Sequence, residues 1–368
     1  MKKMHFAYIG LAIVVLLLVI AIFFIGGTQS AQSESSGQQA TKAITDMSGR
    51  TVVVPLHINK VLTTHPRATT LVYMLAPDKL MGWQGSPSNN TKYMLEKYRD
   101  LPSVGGWYAT NTGNYETFLS MNPDAVFECY LSEDHVNDMD VVIDRQNHLN
   151  PIPLIEINDT SNIRNYTPAI RFLGDVLDEQ ENADALIDFY NKVYSNVTDV
   201  VATIPQSEKK RVYYAEGPQG LNTEPPSSWH TQLINICGGI NVANVSLQTG
   251  EGMTPVSLEQ VLLWDPDVII TDNEVFYKNV YTDPNWQTLK AVKNKEIYLA
   301  PSDPFGWFDR PPGINLIIGI PWTAKVLYPD RFQDLDMQNL TKEFYSKFYH
   351  YNLTDEDVTN LLSTSLLK

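Results

Sequence analysis

The stretch from Glu116 to Phe127 reads ETFLSMNPDAVF, and a similar stretch from Glu259 to Ile270 reads EQVLLWDPDVII. Every matching position in the second copy lies 143 residues after its counterpart in the first. In each copy a helical pattern ends before a Pro-Asp turn, because proline cannot continue a helix, and a short run typical of a buried strand follows. The repeat predicts two similar α/β lobes, although a Pro-Asp turn before a strand also arises without duplication.

Strands and helices alternate around both copies, which is typical of parallel α/β sheets. Between the copies, residues 168–204 carry one helical pattern, and a helix of about 25 residues would be ~38 Å long. We therefore predict an α/β fold of two similar lobes with parallel-rich sheets joined by one long rigid α-helix. The predicted segments are an N-terminal α/β lobe at 44–167, a connecting helix at 168–204, and a C-terminal α/β lobe with C-terminal helices at 205–368.

The N-terminus has the pattern of a membrane segment. Lys2 and Lys3 precede an almost unbroken apolar run that ends at Ile25. About 20 apolar residues suffice to cross a bilayer, and the lysines favour the cytoplasmic side. Residues 1–26 are therefore predicted to be a transmembrane anchor or an uncleaved signal, followed by a flexible linker at 27–43. The body is then expected on the extracytoplasmic face of the cell membrane, with cleavage between Thr28 and Ala31 as the alternative.

Composition limits the possible functions. The chain holds 42 Asp and Glu against 27 Lys and Arg, a net charge of −15, which disfavours nucleic-acid binding. Its two cysteines, Cys129 and Cys237, lack the spacing of a zinc site and fit either one disulfide or two buried thiols. The sequence contains no nucleophile elbow, Walker loop, dinucleotide-binding glycine motif or HExxH motif. No catalytic residue, metal site or cofactor is therefore expected.

Several modest motifs follow one another in a specific order. The first lobe contains TDMSGRTVVVP (45–55), LAPDKLMGW (75–83) and PSVGG (102–106), and the second contains WHTQLINICGGINVAN (229–244) and PVSLEQVLLWDPDVIITD (255–272). From about Ile44 to Leu367 the chain resembles the periplasmic-binding-protein type 2 family, the class III receptors for ferric siderophores, cobalamin and haem. Its later stretch GWFDRPPG (306–313) is similar to archaeal members of that group.

The resemblance implies two lobes hinged by a stiff helix, with the ligand in the cleft between them and little closure on binding. It also implies that Glu116 and Glu259 match the two glutamates that dock on arginines of the permease. For either residue alone, a glutamate favoured by the helix dipole is the simpler explanation. The implied partners are the membrane, an ABC permease with its ATPase, and a metal-chelate ligand, with the protein itself a monomer.

The candidate ligand-binding residues are aromatic, cationic or ionisable side chains in loops expected to face the cleft. Flat chelates favour aromatic faces, carboxylate-bearing chelates favour arginine, and a histidine or tyrosine can complete an open metal coordination site. The set comprises His65, Arg67, Trp83, Trp107, Tyr108, Glu216, Trp229, His230, Trp307 and Arg310.

Other interpretations of these residues stay open. Trp83 and Trp107 also fit core positions, and the two histidines also fit hydrogen-bonding loop positions. The rigid loop GWFDRPP (306–312) makes Trp307 and Arg310 the leading candidates, although Asp309 is placed to pair with Arg310.

The sequence thus predicts an extracytoplasmic substrate-binding protein of an ABC importer that delivers a chelated metal compound, such as a ferric siderophore, haem or corrinoid. Three alternatives remain: a receptor for a free transition-metal ion or oxyanion, a surface sensor or adhesion module without a permease, and a chelatase-like enzyme.

Overall fold

A three-stranded parallel sheet forms the N-terminal lobe of the computed structural model, which describes residues 40–85, 91–108, 111–130, 139–248 and 252–366. An antiparallel hairpin of β1 (Thr41–Thr45) and β2 (Thr51–Pro55) precedes the sheet. The sheet has the order β3 (Val61–Thr63), β4 (Ala125–Tyr130) and β5 (Leu154–Asn158). The helices of this lobe are α1 (Pro66–Leu75), α2 (Glu96–Arg99), α3 (Tyr115–Met121) and α4 (Met139–Leu149).

Two helices, rather than the single one predicted at 168–204, follow this lobe. Helix α5 spans Tyr166–Val176, and α6 spans Gln180–Val201, a length of 22 residues or ~33 Å. Between them the chain reverses at Asp178, whose φ of 57° is incompatible with a continuous helix. The two helices pack closely because a Cβ built on Gly174 would lie only 2.4 Å from the Cβ of Ala183. Helix α6 alone therefore corresponds to the predicted connecting helix.

A four-stranded parallel sheet forms the C-terminal lobe, in the order β11-β10-β6-β8. Its strands are β6 (Arg211–Ala215), β8 (Ile240–Asn241), β10 (Val268–Thr271) and β11 (Ile297–Leu299), and β7 (Asn222–Thr223) and β9 (Thr254–Pro255) form a small antiparallel pair. The helices are α7 (Gln232–Ile236), α8 (Leu258–Trp264), α9 (Glu274–Asn279), α10 (Lys290–Lys293), α11 (Gly319–Leu327), α12 (Met337–Phe348) and α13 (Asp355–Leu362).

The repeated stretch has the same structure in both lobes. The bounds of α3 and α8 differ by the 143 positions that separate the two copies, and each helix ends at a residue in the left-handed region. The backbone N–H of Asp124 donates to the carbonyl of Lys60, and that of Asp267 donates to the carbonyl of Arg211, each at 2.8 Å. In both lobes the Pro-Asp turn is thereby bonded to the start of the neighbouring strand. The predicted α/β fold of two similar lobes with parallel sheets is confirmed.

The C-terminal helices pack on the N-terminal lobe and on α6, which differs from the predicted grouping of residues 205–368. The hydroxyl of Tyr73 in α1 donates to the carbonyl of Tyr349 at 2.6 Å, and the ring of Phe189 in α6 lies 5.4 Å from that of Phe344. The C-terminal helices pack there because the aromatic side chains of α12 are buried against aromatic side chains of the N-terminal lobe and α6. One hydrophobic core consequently runs through both lobes and the helices between and beyond them.

The predicted anchor at 1–26 lies outside the described residues. Of the predicted linker at 27–43, residues 27–39 also lie outside them, whereas Thr41–Ala43 belong to β1. Among the residues that the structure describes, no helix has the length and apolar character needed to cross a membrane.

Both cysteines are buried free thiols rather than partners in a disulfide. Burial raises the pKa of the Cys129 thiol to about 12 and also raises that of Cys237. Neither thiol is therefore a reactive thiolate at neutral pH.

Substitution of Trp307 tests the shared core. Its side chain is 0% exposed and its indole N–H donates to the Tyr345 hydroxyl at 3.3 Å. We expect Trp307→Ala to lower the free energy of unfolding by about 3–5 kcal/mol, because a large buried side chain is lost and a cavity remains. Denaturant unfolding measures this change. The control is Leu263→Ala at a position that is 79% exposed, where a comparable loss would contradict the assignment of Trp307 to the core.

Candidate functional site

Ionisable side chains cluster where parallel strands end in each lobe. In the N-terminal lobe, His65 and Asp159 follow β3 and β5. In the C-terminal lobe, Glu216 and Asp272 follow β6 and β10. Ligands of open α/β sheets bind outside the carboxyl ends of the strands, so these positions define the candidate site.

His65 and Tyr108 form the aromatic part of the N-terminal wall. His65 caps α1, with its Nδ1 accepting the backbone N–H of Arg67 at 3.1 Å. Its ring meets that of Tyr108 edge-on at 5.7 Å between centroids. Burial, with a smaller contribution from the Arg67 charge, lowers the pKa of His65 well below its usual range. The imidazole is therefore neutral at physiological pH, and because Nδ1 accepts the Arg67 N–H, Nε2 carries the proton and is able to donate a hydrogen bond.

Arg67 belongs to the same wall but is already paired. Its Nε lies 2.7 Å from Oδ1 of Asp159, a residue that was not predicted from the sequence although it directly follows β5. The pair satisfies the charge of Arg67 within the lobe.

Three of the predicted tryptophans have structural roles. Trp83 is 5% exposed, and its indole N–H donates to the Tyr98 carbonyl at 2.8 Å. Trp307 is fully buried in the shared core, so neither ring offers a face to a ligand in this structure. Trp107 is half-buried between Tyr115, at 4.6 Å, and the guanidinium of Arg145, at 4.7 Å. Trp83 therefore lies in the core, and Trp307, which was expected to face a ligand, packs its ring against α12 instead.

Arg310 lies at the centre of a charged cluster on the C-terminal wall. Its Nε donates to Oε1 of Glu216 at 2.8 Å, its Nη2 donates to the same oxygen, and Nη2 also lies 3.3 Å from Oε1 of Glu224. Both glutamates are almost fully buried, at 1% and 0% exposure, while the arginine side chain is 29% exposed. The backbone of Arg310 has a φ of 40°, a strained conformation for a non-glycine residue and one found at functional sites. The guanidinium is thus held at the surface of the wall with two carboxylates behind it.

Asp309 extends this cluster to His230. Its Oδ1 lies 2.6 Å from Nδ1 of His230, and its Oδ2 accepts the hydroxyl of Tyr214 at 3.0 Å. The same tyrosine lies 3.1 Å from Asp272. Burial lowers the pKa of His230, but the Asp309 carboxylate outweighs it, so the net direction is upward. Asp309 lies 3.6 Å from Nε of Arg310, which makes it a weaker partner of the arginine than Glu216.

Residues 301–313, which we call the crossing loop, link the two walls. Asp303 near its start accepts the backbone N–H of Lys92 in the N-terminal lobe at 2.8 Å. Asp309 and Arg310 bind the C-terminal lobe, and the carbonyl of Gly313 accepts the hydroxyl of Tyr166 in α5. One loop next to the candidate site is therefore fixed to both lobes.

Gln232, at the start of α7, makes a second connection. Its amide donates to the carbonyl of Ser161 at 2.6 Å and accepts the N–H of Ile163 at 3.1 Å. Ser161 follows Asp159 by two residues, and Gln232 follows His230 by two, so this contact brings the two walls together. Trp229, half-buried in the short helix Trp229–Thr231, lies at the same junction.

Sequence analysis missed several members of the C-terminal cluster. Asp272 could have been found, since it directly follows the strand of the second repeat copy. Glu224 and Tyr214 carried no comparable signal. Within the part of the chain that the structure describes, no group of three His, Cys, Asp or Glu side chains is arranged to hold a metal ion.

Glu116 and Glu259 lie in the first turns of α3 and α8 and are exposed. The N-cap residues of these two helices are also equivalent, because the side chains of Asn114 and Ser257 each accept a backbone N–H from the first turn. Hydrogen bonds from its own backbone N–H and from Ser257 lower the pKa of Glu259. Each lobe thus presents one exposed carboxylate at the same position.

Comparisons with known proteins agree on one family. The sequence model of the family described as periplasmic binding protein matches residues 61–304. A solved ABC transporter solute binding protein from Sulfurospirillum deleyianum is 32% identical, with a TM-score of 0.80, covering 87% of this chain and 99% of that one. The molybdate-binding protein MolA of Haemophilus influenzae is 25% identical over 84% of this chain and 91% of its own length. The high-affinity heme uptake system protein IsdE of Staphylococcus aureus is 24% identical over 79% and 89%.

The pH dependence of stability tests the burial of Glu216. Burial raises the pKa of Glu216 to about 8, against the opposing pull of the Arg310 charge. Because this folded-state pKa lies above the unfolded value of ~4.3, the contribution of Glu216 to stability is present at low pH and lost as pH rises through 8. Between pH 6 and 9 the wild type should therefore lose roughly 1–2 kcal/mol more than Glu216→Gln, allowing for screening at the partly exposed arginine.

Denaturant unfolding at the two pH values makes the measurement. Glu259→Gln is the control, since the lowered pKa of that exposed carboxylate keeps it ionised at both values. Equal losses in the wild type and Glu216→Gln would show that Glu216 does not titrate in this range.

Proposed function

The chain belongs to the periplasmic binding protein family, and on that premise we propose that it captures a chelated metal compound between its two lobes. It is a substrate-binding protein of an ABC importer, a class of extracytoplasmic carriers that work with a permease and an ATPase. The proposed cargo is a ferric siderophore, haem or corrinoid. The proposed ligand-contacting residues are those predicted from the sequence that belong to the two walls: His65, Arg67, Tyr108, Glu216, Trp229, His230 and Arg310.

The observation that carries this proposal is the chemistry of the two walls. The N-terminal wall offers a neutral imidazole and a tyrosine ring in edge-on contact, and the C-terminal wall offers the exposed part of Arg310. Aromatic faces suit a flat or delocalised chelate, and the Nε2–H of the neutral His65 ring suits an acceptor oxygen on such a ligand. Tryptophan at 229 adds a half-buried ring at the junction of the walls.

A tetrahedral oxyanion is the second candidate. It is motivated by the molybdate-binding relative from Haemophilus influenzae, whereas the heme uptake relative from Staphylococcus aureus favours a chelate. An oxyanion site needs cationic or N–H donors directed at the anion. Here Arg67 and Arg310 are each paired with acidic side chains and are less able to bind an anion, so this pairing favours the chelate over the oxyanion.

The membrane arrangement follows from the same premise. We propose that residues 1–26 keep the carrier at the extracytoplasmic face of the membrane and that Glu116 and Glu259 dock on basic residues of the permease. Their exposure at equivalent positions in the two lobes supports docking on a partner with approximate two-fold symmetry. Such charge pairs would govern orientation and association rate more than affinity.

A thermal-shift screen of the full chain in detergent tests the cargo. The panel contains cobalamin, haem, ferric hydroxamates, ferric catecholates, free transition-metal ions and molybdate. A ligand at 100 times its Kd stabilises the folded state by ~2.7 kcal/mol, so a saturable rise in Tm with one chelate class is the expected result. Tyr108→Ala should weaken binding of that chelate about three- to tenfold, and Tyr277→Ala, a half-buried tyrosine on α9, should not. A response to molybdate or a bare ion alone would refute the chelate assignment.

Charge reversal tests the docking residues. In cells that carry the cognate permease, Glu116→Lys with Glu259→Lys should abolish ligand uptake while the purified protein keeps its Kd, because both carboxylates are exposed and neither contacts the clustered residues of the two walls. The control is Glu181→Lys, which reverses an exposed charge in the first turn of α6. Uptake that persists in the double variant would rule out docking through these two residues.

A further inference from the structure

Acidic groups outnumber basic ones on the C-terminal wall. The carboxylates of Glu216, Glu224, Asp272 and Asp309 surround two basic groups only, the guanidinium of Arg310 and the imidazole of His230, among the described residues of this cluster. Even when Glu216 is protonated and His230 is charged, three carboxylates stand against two positive charges. The wall therefore carries a net negative charge at neutral pH.

The opposite wall does not offset this excess. The charge of Arg67 is neutralised by Asp159 at 2.7 Å, and the lowered pKa of His65 keeps that ring uncharged. The chain as a whole carries a net charge of −15, so the long-range field around the cleft has the same sign.

Arg310 cannot readily receive an anion. Its Nε and Nη2 both donate to Glu216, and Nη2 also faces Glu224. The Oε1 atom of Glu224 is fixed in turn by the backbone N–H of Met253 at 2.5 Å. An anion that binds at Nε or Nη2 would have to displace Glu216 or the Glu224 carboxylate, and the displaced buried acidic group would be left without its partner.

We propose that Glu216, Glu224 and Asp309 are specificity-determining residues that make the cleft select a neutral or positively charged metal complex and exclude anionic complexes and free oxyanions. This rests on the proposed function and deepens it by specifying the charge of the cargo. Among ferric chelates, trihydroxamates and their ammonium-bearing derivatives fit this requirement, and corrinoids fit it as well. Ferric tricatecholates, which are triply negative, and free oxyanions do not.

Calorimetric titration of the full chain in non-ionic detergent compares three probes. They are a ferric trihydroxamate with a pendant ammonium group, a ferric tricatecholate and tungstate. We expect the wild type to bind the hydroxamate and to show no saturable heat with the other two. Binding of the tricatecholate or of tungstate at least as tightly as the hydroxamate would overturn the proposal.

Variants that replace the acidic side chains by neutral amides test whether this cluster causes the selection by charge. Glu224→Gln keeps an oxygen that can accept the Met253 N–H, and it should weaken hydroxamate binding about tenfold, as expected for a charge ~8 Å away at an effective dielectric constant of ~20 with screening. At pH 9, where Glu216 is ionised, the double variant Glu216→Gln with Glu224→Gln should also gain measurable tungstate binding relative to the wild type. The matched control is Glu181→Gln, which removes an exposed charge on α6 and should change neither affinity. Equal effects in Glu181→Gln and Glu224→Gln would overturn the assignment.

Fluorescence quenching measures the charge of the wall without any cargo. The difference between the wild type and Trp229→Phe isolates the emission of Trp229, next to His230. At pH 9, where Glu216 is ionised, caesium should quench this emission more than iodide, and the preference should fall in the Glu216→Gln, Glu224→Gln variant but not in Glu181→Gln. If no metal complex binds, the proposed cargo is wrong. If caesium is still the better quencher, and its advantage falls in the double variant, the selection by charge is nevertheless supported. A preference for iodide would overturn the charge selection whatever ligand binds.

Discussion

The partly buried guanidinium of Arg310 is the constraint on which the cleft depends. Arginine stays protonated in proteins, so its burial requires carboxylates close by. Glu216 at the end of β6 and Glu224 after β7 supply them. Because Arg310 belongs to the crossing loop, these contacts fix the loop to the C-terminal lobe, while Asp303 and Trp307 fix it on the other side. The pairing of the Arg310 guanidinium with Glu216 and Glu224 therefore determines where this wall lies.

The continuous core determines how the protein can bind. The core includes side chains of both sheets, of α6 and of the C-terminal helices, so the lobes cannot separate without exposing apolar surface. Gln232 and the crossing loop add polar connections between the walls. A cleft held in this way is largely preformed, which lowers the entropy lost on binding. Under the proposed function, discrimination among ligands would then depend on fit and charge at fixed walls rather than on large closure.

Sequence analysis succeeded where the relevant interactions are local. The helix, the Pro-Asp turn and the strand of each repeat copy depend on neighbouring residues, so the two-lobed fold could be predicted from the repeat. The partners of Arg310 could not, because Glu216 and Glu224 lie 94 and 86 positions away in the sequence. Trp307 was assigned to the ligand for the same reason, since its hydrogen-bond partner Tyr345 lies 38 positions later. A tryptophan in a proline-rich loop has the same local sequence whether its ring faces a cleft or a core.

Packing of the last helices on the first lobe has a consequence for the order of folding. Tyr73 in α1 reaches its partner Tyr349 only after nearly the whole chain is available. Domains usually fold as they emerge from the ribosome, beginning with the N-terminal one. Here the Tyr73 hydroxyl cannot reach its buried partner until residues after Asp336 have been synthesised. The part of the first lobe that the C-terminal helices cover therefore stays exposed on the nascent chain until late in translation.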